Sequence, residues 1–119
     1  MTQRTFLPSL AIALGMSLPA VHAAQPDCTD IAGWNSGRHG QTAEAACTAD
    51  AYVEAFRLGQ ALADLRTRHA ALETRITQSP DQAGVLRRQQ RQIDVDIEAI
   101  HGVATLRGWP TRLPEGETP

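Results

Sequence analysis

Residues 52–76, YVEAFRLGQALADLRTRHAALETRI, decide the fold. Ala55, Leu58, Leu62, Leu65, His69, Leu72 and Ile76 recur in alternating steps of three and four. That is the seam of a helix packed along one face, and no strand period reproduces it. Thr48 or Asp50 is placed to cap its start. Pro80 forbids a continuous helix. Ser79 as N-cap, Pro80 at the first helical position and Gln82 completing a capping box predict a second one. Leu86, Ile93, Ile97, Ile100 and Ala104 form its seam, and Gly108 with Pro110 is its stop signal.

Folding the chain back at Gln78-Ser79 sets Leu72 near Leu86, Leu65 near Ile93, Leu62 near Ile97 and Leu58 near Ile100. A polar step, His69 facing Gln89 or Gln90, interrupts both seams at one height and serves as a register-fixing layer. The expected fold is all-α. It consists of a long antiparallel two-helix hairpin over residues 48–108 and a short disulfide-tethered Gly/Ala-rich N-terminal segment over residues 24–47. Val53, Val85, Val95 and Val103 flank the seams without an evident partner. The N-terminal segment, a second copy of the hairpin or another protein could cover them.

The N-terminus reads as a secretory signal over residues 1–23. Arg4 leads, an apolar run follows from Phe6 to Leu18, and Val21-His22-Ala23 provides the cleavage site. The run is interrupted by Pro8 and is too short to span a bilayer, which takes about 20 residues. Cys28 follows Pro26-Asp27, which does not fit a lipoprotein site. Localisation is therefore expected to be periplasmic or secreted, after cleavage near Ala23.

From Ala24 onward, 10 Arg, no Lys and 13 acids leave a formal charge of −3, too mild to imply a nucleic-acid partner. Only 17 Leu, Ile, Val and Phe residues remain in that part, a thin supply for the walls of a buried pocket.

Cys28 and Cys47 are the only two cysteines, and in an oxidising compartment they are expected to bond to each other. Such a loop closure stabilises by about 3 kcal/mol in the chain-entropy model. His39 between them leaves a Cys-His-Cys metal site or a reactive thiol pair as alternatives. There is, however, no Cys-x-x-Cys and no i, i+4 His pair. Gly33, Gly37 and Gly40 recur on one helical face, so residues 30–46 are either a short helix whose glycine stripe admits another backbone or a turn-rich loop pinned by the disulfide. The hairpin should return Trp109 towards Tyr52, Cys47 and Trp34 as an aromatic cluster at the base.

Charge is polarised along the hairpin. Residues 66–91 carry six Arg against Glu73 and Asp81, a charge of +4, and the rest of the chain after residue 23 carries −7. The basic tip offers Arg75, Arg87, Arg88 and Arg91 as a possible binding site for an anionic surface, such as lipid headgroups or an acidic protein. Leu113 to Pro119 ends a Pro-rich tail, residues 109–119, expected to be disordered.

The pattern Trp34-x-x-Gly37-x-x-Gly40, then Cys47-x-x-x-x-Tyr52-x-x-x-Phe56-x-x-Gly59-x-x-Leu62, resembles an uncharacterised family of small exported proteins and lipoproteins of Gram-negative bacteria. Those proteins carry Trp-x-x-Gly-x-x-Asp-Gly and Tyr-x-x-Gly repeats before a helical C-terminus. The similarity covers roughly residues 28–65, with His39 where the family tends to have Asp. The resemblance implies location and build rather than an activity.

No nucleophile motif, catalytic carboxylate pair, Gly-rich phosphate loop or metal signature is present, and His39, His69 and His101 lack sequence partners. The expectation is a non-enzymatic cell-envelope interaction or structural protein, without cofactor or metal. Its partner would be an envelope protein or a second copy bound through the hairpin. The alternative is a periplasmic chaperone or envelope-stress accessory protein.

Overall fold

The computed structural model describes residues 25–112, so the expected signal segment and the tail from Leu113 lie outside the described residues. The described chain is all-helical. It contains three α-helices, α1 (Asp30–Arg38), α2 (Asp50–Gln78) and α3 (Ala83–Arg107), with a 3₁₀ turn at Pro80–Gln82 between α2 and α3. Cys28 and Cys47 form a disulfide with their Cα atoms 5.2 Å apart. With both sulfurs in the bridge, neither remains as a thiolate for metal binding or exchange.

The choice left open between residues 30 and 46 resolves into a helix followed by a turn. Thr29 caps α1, its hydroxyl accepting from the Ala32 N–H at 3.2 Å, and Asp30 and Arg38 suit the two ends of the helix dipole. Two internal glycines each cost a helix about 1 kcal/mol. Here they are used for close approach. A Cβ on Gly33 would collide with the Tyr52 carbonyl, one on Gly37 with the Phe56 carbonyl, and one on Gly59 would lie 2.5 Å from the Trp34 carbonyl oxygen. Helices α1 and α2 therefore cross with backbone against backbone. Gly40 does not belong to this face; it lies past the helix at φ 72° with nothing near it.

Helices α2 and α3 meet along the expected seams. One cluster joins Leu65, Leu72 and Ile76 to Leu86 and Ile93, and the other gathers Ala55, Leu62, Ala104, Trp34 and Trp109, with Leu58, Ile97, Ile100 and Val103 packed on it. Cross-helix contacts run in opposite chain directions: Glu54 with Arg107 at 3.4 Å, and His69 with Asp94 at 3.1 Å. In the polar layer it is Gln90 that is buried, donating from Nε2 to the His69 carbonyl at 3.3 Å, whereas Gln89 is exposed.

The capping expectations need correction. Ala49 occupies the N-cap of α2, so neither Thr48 nor Asp50 caps it through a side chain. Ser79 and Pro80 take the expected positions, but neither Ser79 nor Gln82 makes a side-chain cap bond, and the capping box does not close. Pro80 instead drives one 3₁₀ turn before α3 begins. The C-terminal stop holds: Gly108 is left-handed at φ 76°, and the Trp109 N–H reaches back to the Ala104 carbonyl at 2.9 Å.

Candidate functional site

Two regions concentrate the chemistry-bearing side chains, the aromatic base and the arginine-rich far end. At the base, Trp34 is fully buried and stacks on Trp109 with ring centroids 5.3 Å apart. Each indole N–H has an acceptor: Trp34 Nε1 donates to the Pro110 carbonyl at 2.6 Å, and Trp109 Nε1 donates to Asp30 Oδ2 at 2.8 Å. Arg107 lies over the Trp109 ring at 5.2 Å.

Arg38 is buried. Its Nε donates to Asn35 Oδ1 and its Nη1 to the Arg112 carbonyl. Trp109 thus returns to Trp34 as expected, but Tyr52 belongs to a separate pair, stacked with Phe56 at 6.4 Å and accepting from the Glu44 N–H at its hydroxyl. The base is closed by its own residues.

Asp30 is electrostatically tied to this closure. The hydrogen bond from Trp109 holds its carboxyl below the usual carboxylate range, with further help from the Ile31 N–H and the Arg107 charge against partial burial. A depressed carboxyl stabilises the fold above about pH 4, and that contribution fades as the pH falls through the folded-state value.

At the far end Arg75, Arg87, Arg88 and Arg91 are all exposed. Arg75 alone of the four borders the groove between α2 and α3. Arg75 joins Arg68, Ala71 and Leu72 of α2 and Gln89, Gln92, Ile93 and Asp96 of α3 around a groove of about 440 Å³. Arg87, Arg88 and Arg91 line no part of it. Arg68, which was not singled out from the sequence, shares the groove because it stands seven residues, two helical turns, before Arg75.

On α2 nearer the base, Asp50, Val53, Glu54, Arg57 and Leu58 line a second groove of about 480 Å³. A third, of about 300 Å³, holds Arg66, Ala70 and Ile97 around the His69–Asp94 contact. Asp94 was legible only in the fold, because it meets His69 across the helix pair. Among the described residues, no three His, Cys, Asp or Glu side chains are grouped to hold a metal ion.

No family model, curated protein or solved structure matches this chain.

The contrast between the two regions is one of accessibility. At the base the two indole N–H groups and the Arg38 guanidinium donate to acceptors within the protein, whereas the charged side chains around the three grooves reach solvent. No described helix is long and apolar enough to cross a membrane. Of the four flanking valines, Val103 packs on the core, Val53 is half-buried at the second groove, and Val85 and Val95 remain exposed.

Proposed function

We propose that this protein is exported to the periplasm after removal of residues 1–23 and acts there without catalysis, as an interaction or structural component of the cell envelope. Its working part is the long antiparallel hairpin of α2 and α3, carried on a base that is spent on holding itself together. Membership in the resembled family of small exported envelope proteins belongs to the same proposal. The disulfide supports it, since such bridges persist in oxidising compartments.

The observation that carries the reading is the build of α2. Its buried residues serve the seam with α3 and, at Tyr52 and Gly59, the crossing with α1, while Asp50, Glu54, Ala61, Asp64, Arg68, Ala71 and Arg75 remain exposed for the length of the helix. A helix this long in so small a protein presents far more surface than its own core requires. The acid-rich base and basic tip give that surface a direction, which favours recognition over a merely solvated face.

The test is site-specific photocrosslinking in the cells that make the protein, with the photoreactive residue at Ala71. A discrete covalent adduct of defined mass in the envelope fraction is the expected result. Uniform absence of adducts from Ala71 and Ala61, in protein that is exported and oxidised, would reject the hairpin as an interaction surface.

A further inference from the structure

Arg87, Arg88 and Arg91 lie near the start of α3, and their spacing keeps them within about 100° of one another around the helix axis. The buried residues of that stretch are Leu86, Gln90 and Ile93, so the arginines occupy the side of α3 turned away from the seam. All three are exposed, and among the described residues none of them makes a hydrogen bond or an ion pair. Arg38, Arg68 and Arg107 differ in this respect: each is engaged inside the chain, with Asn35 and the Arg112 carbonyl, with Asp64 and with Glu54.

The acid within four residues of the three arginines, Asp94, lies 3.1 Å from His69 Nε2. The first turn of α3 contains no acid either. Like charges three and four residues apart on a helix repel. Holding three guanidinium groups together therefore does nothing for the fold, and the charge they present is complementary to an anionic partner.

The surroundings narrow the class of that partner. None of the three arginines lines the grooves around Arg75, Glu54 or His69, and the outer side of a helix is convex. Trp34, Trp109, Tyr52 and Phe56 are stacked in pairs at the base, so this face has no aromatic anchor of the kind that dominates contacts between proteins. Its apolar members are the exposed Val85 and Val95. Arginine forks among small apolar side chains on a convex face fit a flat, fluid layer of phosphate groups, which needs no matching pocket.

We propose that the far end of the hairpin docks on an anionic phospholipid surface through Arg87, Arg88 and Arg91, with Val85 and Val95 against the headgroup layer. The inference rests on the interaction reading above and names its partner. Because the chain after residue 23 carries −7 outside residues 66–91, the same surface repels the base and tilts the arm onto its tip.

The experiment is cosedimentation of the exported, oxidised protein with vesicles of phosphatidylcholine alone and of phosphatidylcholine mixed with one-third phosphatidylglycerol. Binding to the mixed vesicles is expected, weakening about tenfold or more between roughly 0.05 and 0.5 M sodium chloride as the charges are screened. Arg87→Gln with Arg88→Gln and Arg91→Gln should lower the partition coefficient on the order of a hundredfold, about fivefold for each arginine near the surface, with unchanged helical circular dichroism. Arg88→Gln alone should cost about fivefold, whereas Arg57→Gln, which removes the same charge near the base, should stay within about twofold of the parent.

No binding to the mixed vesicles at low salt overturns the proposal, as does binding that the triple variant keeps or that phosphatidylcholine alone supports equally. An adduct with one envelope protein from a photoreactive residue at Val95, lost in the triple variant and found without vesicle binding, would assign the arginines to an acidic protein and overturn the lipid surface. If vesicles are not bound but Ala71 crosslinks an envelope protein, the interaction reading stands and the lipid surface falls. Vesicle binding through the three arginines without adducts from Ala61 or Ala71 keeps the lipid surface and removes the protein partner. Absence of both rejects both readings.

Discussion

Gly59→Ala lowers the stability of the oxidised protein by about 2–3 kcal/mol, a fall in melting temperature on the order of 10–20 °C for a domain of this size. A methyl group at this position would stand 2.5 Å from the Trp34 carbonyl oxygen and 2.6 Å from the Arg38 nitrogen, both backbone atoms that no rotamer change can move aside. The loss therefore exceeds the gain of about 1 kcal/mol that alanine brings to a helix interior. Gly102→Ala is the control of opposite sign. Nothing lies within 4 Å of its Cβ position, so it should stabilise by about 0.5–1 kcal/mol. Thermal melts of the two variants beside the parent check both signs, and a Gly59→Ala protein as stable as the parent would remove the close crossing of α1 and α2 from this account.

Trp34→Ala costs about 3–5 kcal/mol, the range for truncating a large buried aromatic. Its ring is the central member of the base cluster, and its removal also strands the Pro110 carbonyl and leaves Trp109 without its stacking partner. Chemical denaturation measures the loss. Near-ultraviolet circular dichroism should collapse, while much of the helical signal remains in α2 and α3, whose far cluster does not include Trp34. Trp109→Phe is the milder companion. It keeps a ring but removes the donor that depresses Asp30, so the parent should lose more of its stability than the variant as pH falls below about 4. Equal acid limbs for the two proteins would show that the Asp30–Trp109 bond contributes nothing in solution.

Much of this build was legible in the residues, for reasons that differ by element. The seams of α2 and α3 announced themselves because a period of three and four sustained over twenty residues admits one structure. The turn at Pro80 and the stop at Gly108 were legible because proline and glycine act through their own backbone geometry. Helix α1 was not decided, since two glycines argue against a helix locally, and only the facing backbone of α2 reverses that preference. Gly59 gave no local sign of its role; its importance exists only once α1 lies across it. The expected caps failed for the opposite reason. Ser79 and Gln82 have suitable side chains, but the 3₁₀ turn at Pro80–Gln82 proceeds without their cap bonds. At the candidate site, counting charge located the basic end but not the groove there, which Arg75 shares with Arg68 and which exists only once α2 packs on α3.

A locked base carrying a long helical arm should show two levels of protection in native-state hydrogen exchange of the oxidised protein. The amides of α1 from Gly33 to Arg38 and those of α2 from Phe56 to Leu62 should exchange only through global unfolding, with protection declining towards Ile76 and Leu86 at the far end. Exchange of the α1 amides as fast as or faster than those at the tip would show that the base is not the anchor.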